Sequence, residues 1–176
     1  MNEQTSFKIN RAPVLTLWAA VVAGQSGFDH EEALTLGRAV AGLNAYAKGK
    51  RLGIFKPTAE SVHKKRNEAQ EHGFEVELLH RAVPVVVTPD GIRATSKGKP
   101  LNPASVEKYL STKFGEHIEA TEQAMAHLAK SYRPEELADI AFSFYVKFRP
   151  TVAPGVEGWG AEGLLDLAAI RSAGRP

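Results

Sequence analysis

The chain has 176 residues, 43% apolar and 24% charged, with a formal net charge of +2. That is an ordinary globular composition, long enough to bury a core as one compact domain or two small ones. With no cysteine, disulfides, thiolate metal sites and cysteine nucleophiles are excluded. The apolar run Val14 to Ala23 is far below the roughly 20 residues of a membrane span. The first residues also lack the basic start and small-residue cleavage pattern of a signal peptide, so a cytoplasmic protein with no membrane partner is expected.

In chain order, Val14, Leu17, Trp18, Val21 and Val22 recur at helical spacing behind Pro13, which suits a first turn because its missing donor costs nothing there. Asp29 reads as the N-cap of a second helix, with Glu31 and Glu32 in the first turn, where carboxylates complement the helix dipole. Its inward stripe is Ala33, Leu36, Gly37, Val40, Leu43 and Ala47. The small members of that stripe permit close approach to a neighbouring helix.

A basic loop, Lys48 to Lys56, follows, and Pro57 opens a third helix ending near Gly73. That helix has only Ala59, Val62 and Ala69 as apolar positions, so it buries little and leaves His63, Lys64, Lys65 and Arg66 free to face a ligand. From Phe74 to Thr95 the period changes, and FEVELL, VPVVVT and IRAT read as strands. Thr88-Pro89-Asp90-Gly91 is a hairpin turn in which Pro presets φ and Gly permits a positive one.

Asn102-Pro103 starts a helix with Val106, Tyr109, Leu110 and Phe114 on its buried face, and Gly115 stops it. A further helix carries Ile118, Thr121, Met125, Leu128 and Tyr132. Pro134 opens another, with Leu137, Ile140, Ala141, Phe144 and Phe148 inward. A Pro- and Gly-rich connection then leads to a short helix, Leu164 to Ile170. The expected fold class is α+β, mainly helical: N-terminal helices plus a short antiparallel β-hairpin, then a C-terminal helical half. Residues 1–100 form the basic helical and hairpin region, and residues 101–176 the helical region with its Gly-rich C-terminal segment, as two units or on one core.

Function is signalled by charge. Between Lys48 and Arg66 lie seven Lys or Arg residues against one acid, Glu60. Residues 1–100 carry a net +4 and residues 101–176 a net −2. Such a concentration attracts polyanions, with nucleic-acid phosphate the commonest candidate. Gly49 and Gly53 free the backbone to approach phosphates, and Phe55 offers a stacking surface or a core anchor. A solvated helix face with no ligand is the bland alternative.

Two or three helices followed by a hairpin with a basic turn is a segment order that resembles the winged helix-turn-helix family. The resemblance implies DNA binding, with His63, Lys64, Lys65 and Arg66 on the reading helix and Arg93, Lys97 and Lys99 as the wing. The nine or so residues before the third helix exceed the three or four of a tight helix-turn-helix turn. A second placement, at VVAGQSGFDHEEALTL, puts Glu31 and Glu32 where phosphates would approach and ranks lower.

The expected nucleic-acid-binding set is therefore Lys48, Lys50, Arg51, Lys56, His63, Lys64, Lys65, Arg66, Arg93, Lys97 and Lys99. The competing class is a regulatory module forming a homodimer, or docking a protein, through Phe144, Tyr145, Phe148 and Trp159. No catalytic motif, metal site or cofactor is expected. The six histidines lack zinc-hydrolase spacing. Gly158 to Gly163 satisfies GxGxxG literally, but prolines precede it and too little chain follows for a dinucleotide unit.

Overall fold

The computed structural model describes residues 6–51, 74–96, 99–150 and 162–173. The fold is α+β and mainly helical, with two small antiparallel sheets. Strand β1 (Ser6–Asn10) runs directly into α1 (Arg11–Gln25), and α2 (His30–Arg51) follows. A meander of β2 (Phe74–Leu78), β3 (Arg81–Thr88), β4 (Gly91–Ser96) and the two-residue β5 (Lys99–Pro100) comes next. The helices α3 (Pro103–Phe114), α4 (Ile118–Lys130) and α5 (Pro134–Phe148) lead to β6 (Glu162–Asp166) and α6 (Leu167–Ser172).

Helix α1 is the axis of the molecule. Its sequence, APVLTLWAAVVA, is apolar on every side, and a helix without a polar face is stable only when surrounded. Accordingly α1 packs against α2, α3, α4 and α5, and Val14, Leu15, Trp18 and Ala19 are fully buried. Its polar member Thr16 donates its hydroxyl to the Ala12 carbonyl at 2.9 Å, and the Trp18 indole Nε1 donates to the Ala141 carbonyl at 2.8 Å. Phe144 and Phe148 meet the Trp18 ring edge-on. The buried cluster draws residues from both halves of the chain, from Phe7 to Ile170.

The expected helix starts and stops at α3 are observed. Asn102 Oδ1 accepts from the Ala104 N–H at 2.9 Å, Pro103 occupies the first turn, and Gly115 ends the helix with φ +56°. At α2 the cap is reciprocal: Glu32 N–H donates to Asp29 Oδ1 at 2.8 Å, and Asp29 N–H donates to Glu32 Oε1 at 3.0 Å. This capping box satisfies two donors that a bare helix start leaves unpaired.

Three elements differ from those expected. Strand β1 was not expected; it pairs antiparallel with β6, Phe7 opposite Leu165 and Ile9 opposite Gly163. The short helix begins at Leu167 rather than Leu164, because Leu164 and Leu165 belong to β6, and Asp166 caps the helix by accepting from the Ala168 N–H at 2.9 Å. Lys48, Lys50 and Arg51 lie on a helix, not in a loop, since α2 continues to Arg51. The third helix expected from Pro57 to Gly73 falls outside the described residues, as does Trp159.

The meander contains both the expected turn at Asp90 and a second two-residue turn. Leu78 pairs with Arg81, leaving Leu79 and His80 as a two-residue turn with φ of +51° and +61°. This backbone normally selects Asn-Gly, because a side chain at positive φ is strained. Tertiary contacts outweigh that preference here. Leu79 is buried in the core, and the His80 ring Nε2 donates to the Asp139 carbonyl on α5 at 3.0 Å.

Tyr145 contributes a pH signature. Its side chain is fully buried, and its hydroxyl has no hydrogen-bond partner among the described residues. Burial pushes its pKa up to about 12, against the opposing pull of the Arg149 and Arg11 charges. The neutral phenol is therefore favoured in the folded state. Its contribution is intact below the ordinary tyrosine pKa of about 10 and is lost as pH rises toward about 12, at ~1.4 kcal/mol per unit. Tyr145→Phe should leave stability near pH 7 unchanged or slightly higher, because no bond is lost, and should flatten the alkaline decline. Denaturant titrations at pH 7 and pH 11 check both; equal alkaline loss in the two proteins would refute the assignment.

Candidate interaction surfaces

The hairpin is fastened to α2 by the acids at the helix start. Glu32 Oε2, the oxygen not used in the cap, accepts from the Ile92 N–H at 2.8 Å. One turn on, the Thr35 hydroxyl accepts from the Ala94 N–H at 3.1 Å. These side chains satisfy β4 donors on the side away from β3, and so protect an edge that is open to pairing with another chain. Leu101 completes the cover, its N–H donating to the Ala94 carbonyl at 2.8 Å.

Arg93 belongs to this latch rather than to a free wing. The residue is 5% exposed. Its guanidinium donates to the Ile92 carbonyl at 2.9 Å and to the Asp90 carbonyl at 3.4 Å, and it lies 3.8 Å from Glu31 Oε1. A cation folded back on its own turn and faced by a carboxylate has little field left for a phosphate. The signal was present in the sequence: Glu31 and Glu32 were both readable as helix-start acids, but nothing local showed that they also face the hairpin.

The other expected contacts distribute as follows. Lys48, Lys50 and Arg51 fall in the last turns of α2, and Lys99 is exposed on β5. Lys56, His63, Lys64, Lys65, Arg66 and Lys97 lie outside the described residues. The lower-ranked helix-turn-helix placement corresponds to α1, a four-residue turn at 26–29 and α2. Here the two helices press together side by side well beyond the turn: a Cβ built on Gly37 would lie 2.3 Å from the Thr16 carbonyl oxygen and 2.9 Å from the Ala20 nitrogen. That is the close approach expected from the small residues of α2. The N-terminal acids of α2 are occupied by the hairpin.

Phe144, Tyr145 and Phe148 are core residues, 5%, 0% and 2% exposed. They were expected to offer a dimer face; instead Phe144 and Phe148 pack on Trp18 between α1 and α5, and Tyr145 packs on Phe142 and Phe148.

A different surface emerges on the opposite flank of α1. An open groove of about 660 Å³ runs between the α1 and α2 ends on one side and α3 and α4 on the other. Leu17, Ala20, Leu34 and Leu110 form its floor, and Val21 and Phe28 its half-buried shoulders. Gly24 opens into clear space, since a Cβ there would meet nothing within 4 Å. Glu107, Glu119 and Glu122 stand exposed along the α3 and α4 rim, with His30 3.7 Å from Glu107 and, among the described residues, Lys130 the only lysine or arginine in the lining. Sequence periodicity had marked Leu17 and Leu110 as core positions. It could not show that the neighbouring helices leave an open groove above these buried residues.

Among the described residues, no group of three or more His, Asp or Glu side chains is placed to hold a metal ion, and no helix is long and apolar enough to cross a membrane. Comparison of the chain with protein-family models, curated proteins and solved structures finds no match.

Proposed function

We propose that the chain is a cytoplasmic nucleic-acid-binding protein, with DNA the favoured ligand, acting through the basic segment from Lys48 to Arg66. The observation that carries this reading is the continuity of α2 with that segment. Helix α2 runs unbroken to Arg51, so its last turns carry Lys48, Lys50 and Arg51, just ahead in sequence of Lys56, Lys64, Lys65 and Arg66. Cations at a helix C-terminus are also favoured by the dipole, which makes the placement inexpensive in stability. Exposed Lys99 adds to the set. Arg93 does not, because its charge is engaged within the hairpin.

The mechanism is phosphate neutralisation with release of condensed counterions, without base reading. If about six phosphates are engaged, log affinity for a generic duplex falls with log salt at a slope of roughly −5. Fluorescence anisotropy across a salt series measures that slope. Replacing Lys64, Lys65 and Arg66 together by alanine should reduce its magnitude by about 3. Absence of binding at low salt, or an unchanged slope in the triple variant, would exclude this function.

A further inference from the structure

We infer that the groove between α1, α2, α3 and α4 is a docking site for a basic amphipathic helix of a partner protein. Its floor and rim ask for different things from one occupant. Above a buried floor of Leu17, Ala20, Leu34 and Leu110, the half-buried Val21, Phe28, Ile118 and Ala126 present the accessible apolar surface, which needs an apolar stripe. The rim carries three carboxylates, Glu107, Glu119 and Glu122, against Lys130 and His30, and so needs positive charge beside that stripe. Glu119 and Glu122 are three residues apart on α4 and share one face of it.

The walls decide the backbone form of the occupant. They are mainly helices, whose N–H and C=O groups are bonded internally, so among the described residues the groove has no sheet edge to which an extended peptide could add. An extended segment laid on the apolar floor would leave its own backbone polar groups unpaired. A helix brings its backbone already satisfied, places an i, i+3, i+4, i+7 stripe on the floor and leaves lysines at its flanks for the rim. Nucleic acid is a poor occupant, since its phosphates would face the same carboxylates. The groove and the basic segment therefore serve partners of opposite charge.

The test uses the whole chain and two synthetic helical peptides of about 18 residues, one of leucine and lysine in amphipathic register and one with every lysine replaced by glutamine. Calorimetric titration should show saturable binding of the lysine peptide and binding at least about tenfold weaker for the glutamine peptide. Two variants that leave the core untouched locate the site. Glu119→Lys with Glu122→Lys reverses the α4 rim and should weaken the lysine peptide about tenfold. Gly24→Gln places a side chain in open space within the groove and should block it to a similar extent, with an unchanged circular dichroism spectrum and a melting temperature no lower than that of the parent chain. Equal binding of both peptides, or native affinity in both variants, overturns the assignment. So does self-association of the chain that Gly24→Gln abolishes when neither peptide binds, which would make the occupant a second copy.

Discussion

Gly37→Ala should destabilise the protein by about 3 kcal/mol, although alanine is the better helix former by roughly 1 kcal/mol. The added Cβ would sit 2.3 Å from the Thr16 carbonyl oxygen and 2.9 Å from the Ala20 nitrogen. Both are backbone atoms of α1, so no side-chain rotation relieves the clash, and the two helices must move apart along their shared interface. That interface includes fully buried Leu36 and Val40 of α2, and opening it loosens their packing. For a chain of this size the loss corresponds to a fall in melting temperature of roughly 6–12 °C. Gly42→Ala in the same helix is the control: its Cβ meets nothing within 4 Å, so the change should stabilise by about 0.5–1 kcal/mol. Thermal melts of the two variants moving in the same direction would refute the close-contact explanation.

The second large effect is expected at Glu32. Glu32→Ala removes the acceptor for the Asp29 N–H and the acceptor for the Ile92 N–H together. Loss of the cap costs about 1 kcal/mol, and loss of a charged acceptor from a sheet donor about 2 kcal/mol, giving ~3 kcal/mol in all. Asp29→Ala removes only the other half of the cap and should cost about 1 kcal/mol. The difference between the two variants isolates the latch between helix and hairpin. Amide exchange adds a spatial readout: in Glu32→Ala the Ile92 N–H should lose protection selectively, whereas in Asp29→Ala it should keep it. Equal stability losses with unchanged exchange at Ile92 would mean that the latch contributes nothing.

Glu32 also illustrates how function-like signals mislead in one dimension. Beside Glu31 it reads as an ordinary helix-start acid, and that reading holds. The same carboxylate closes the β4 edge, and its neighbour faces Arg93. An arginine at a hairpin exit after a run of basic residues looks like a phosphate contact. Whether it is free depends on which acids lie opposite, some 60 residues away in sequence. The same holds for Phe144, Tyr145 and Phe148, which read alike in sequence whether they face out or in; packing buries all three, Phe144 and Phe148 against Trp18.

What the sequence determined by itself is what local chemistry can enforce. Asn102 and Asp29 specify helix starts because their side chains reach N–H groups two or three residues on. Thr88 to Gly91 specifies its turn, and the β-branched residues of FEVELL and VPVVVT specify strands. The concentration of cations from Lys48 to Arg66 is likewise a property of the chain alone. Tertiary structure decided the remainder. Ser6 to Asn10 is too short to form a strand unaided and becomes one by pairing with Glu162 to Asp166. Leu79 and His80 accept a strained turn because burial and a bond to α5 outweigh the strain. The groove exists because four helices meet over Leu17 and Leu110 without closing, and whether a surface is covered depends on packing between distant segments rather than on the residues that form it.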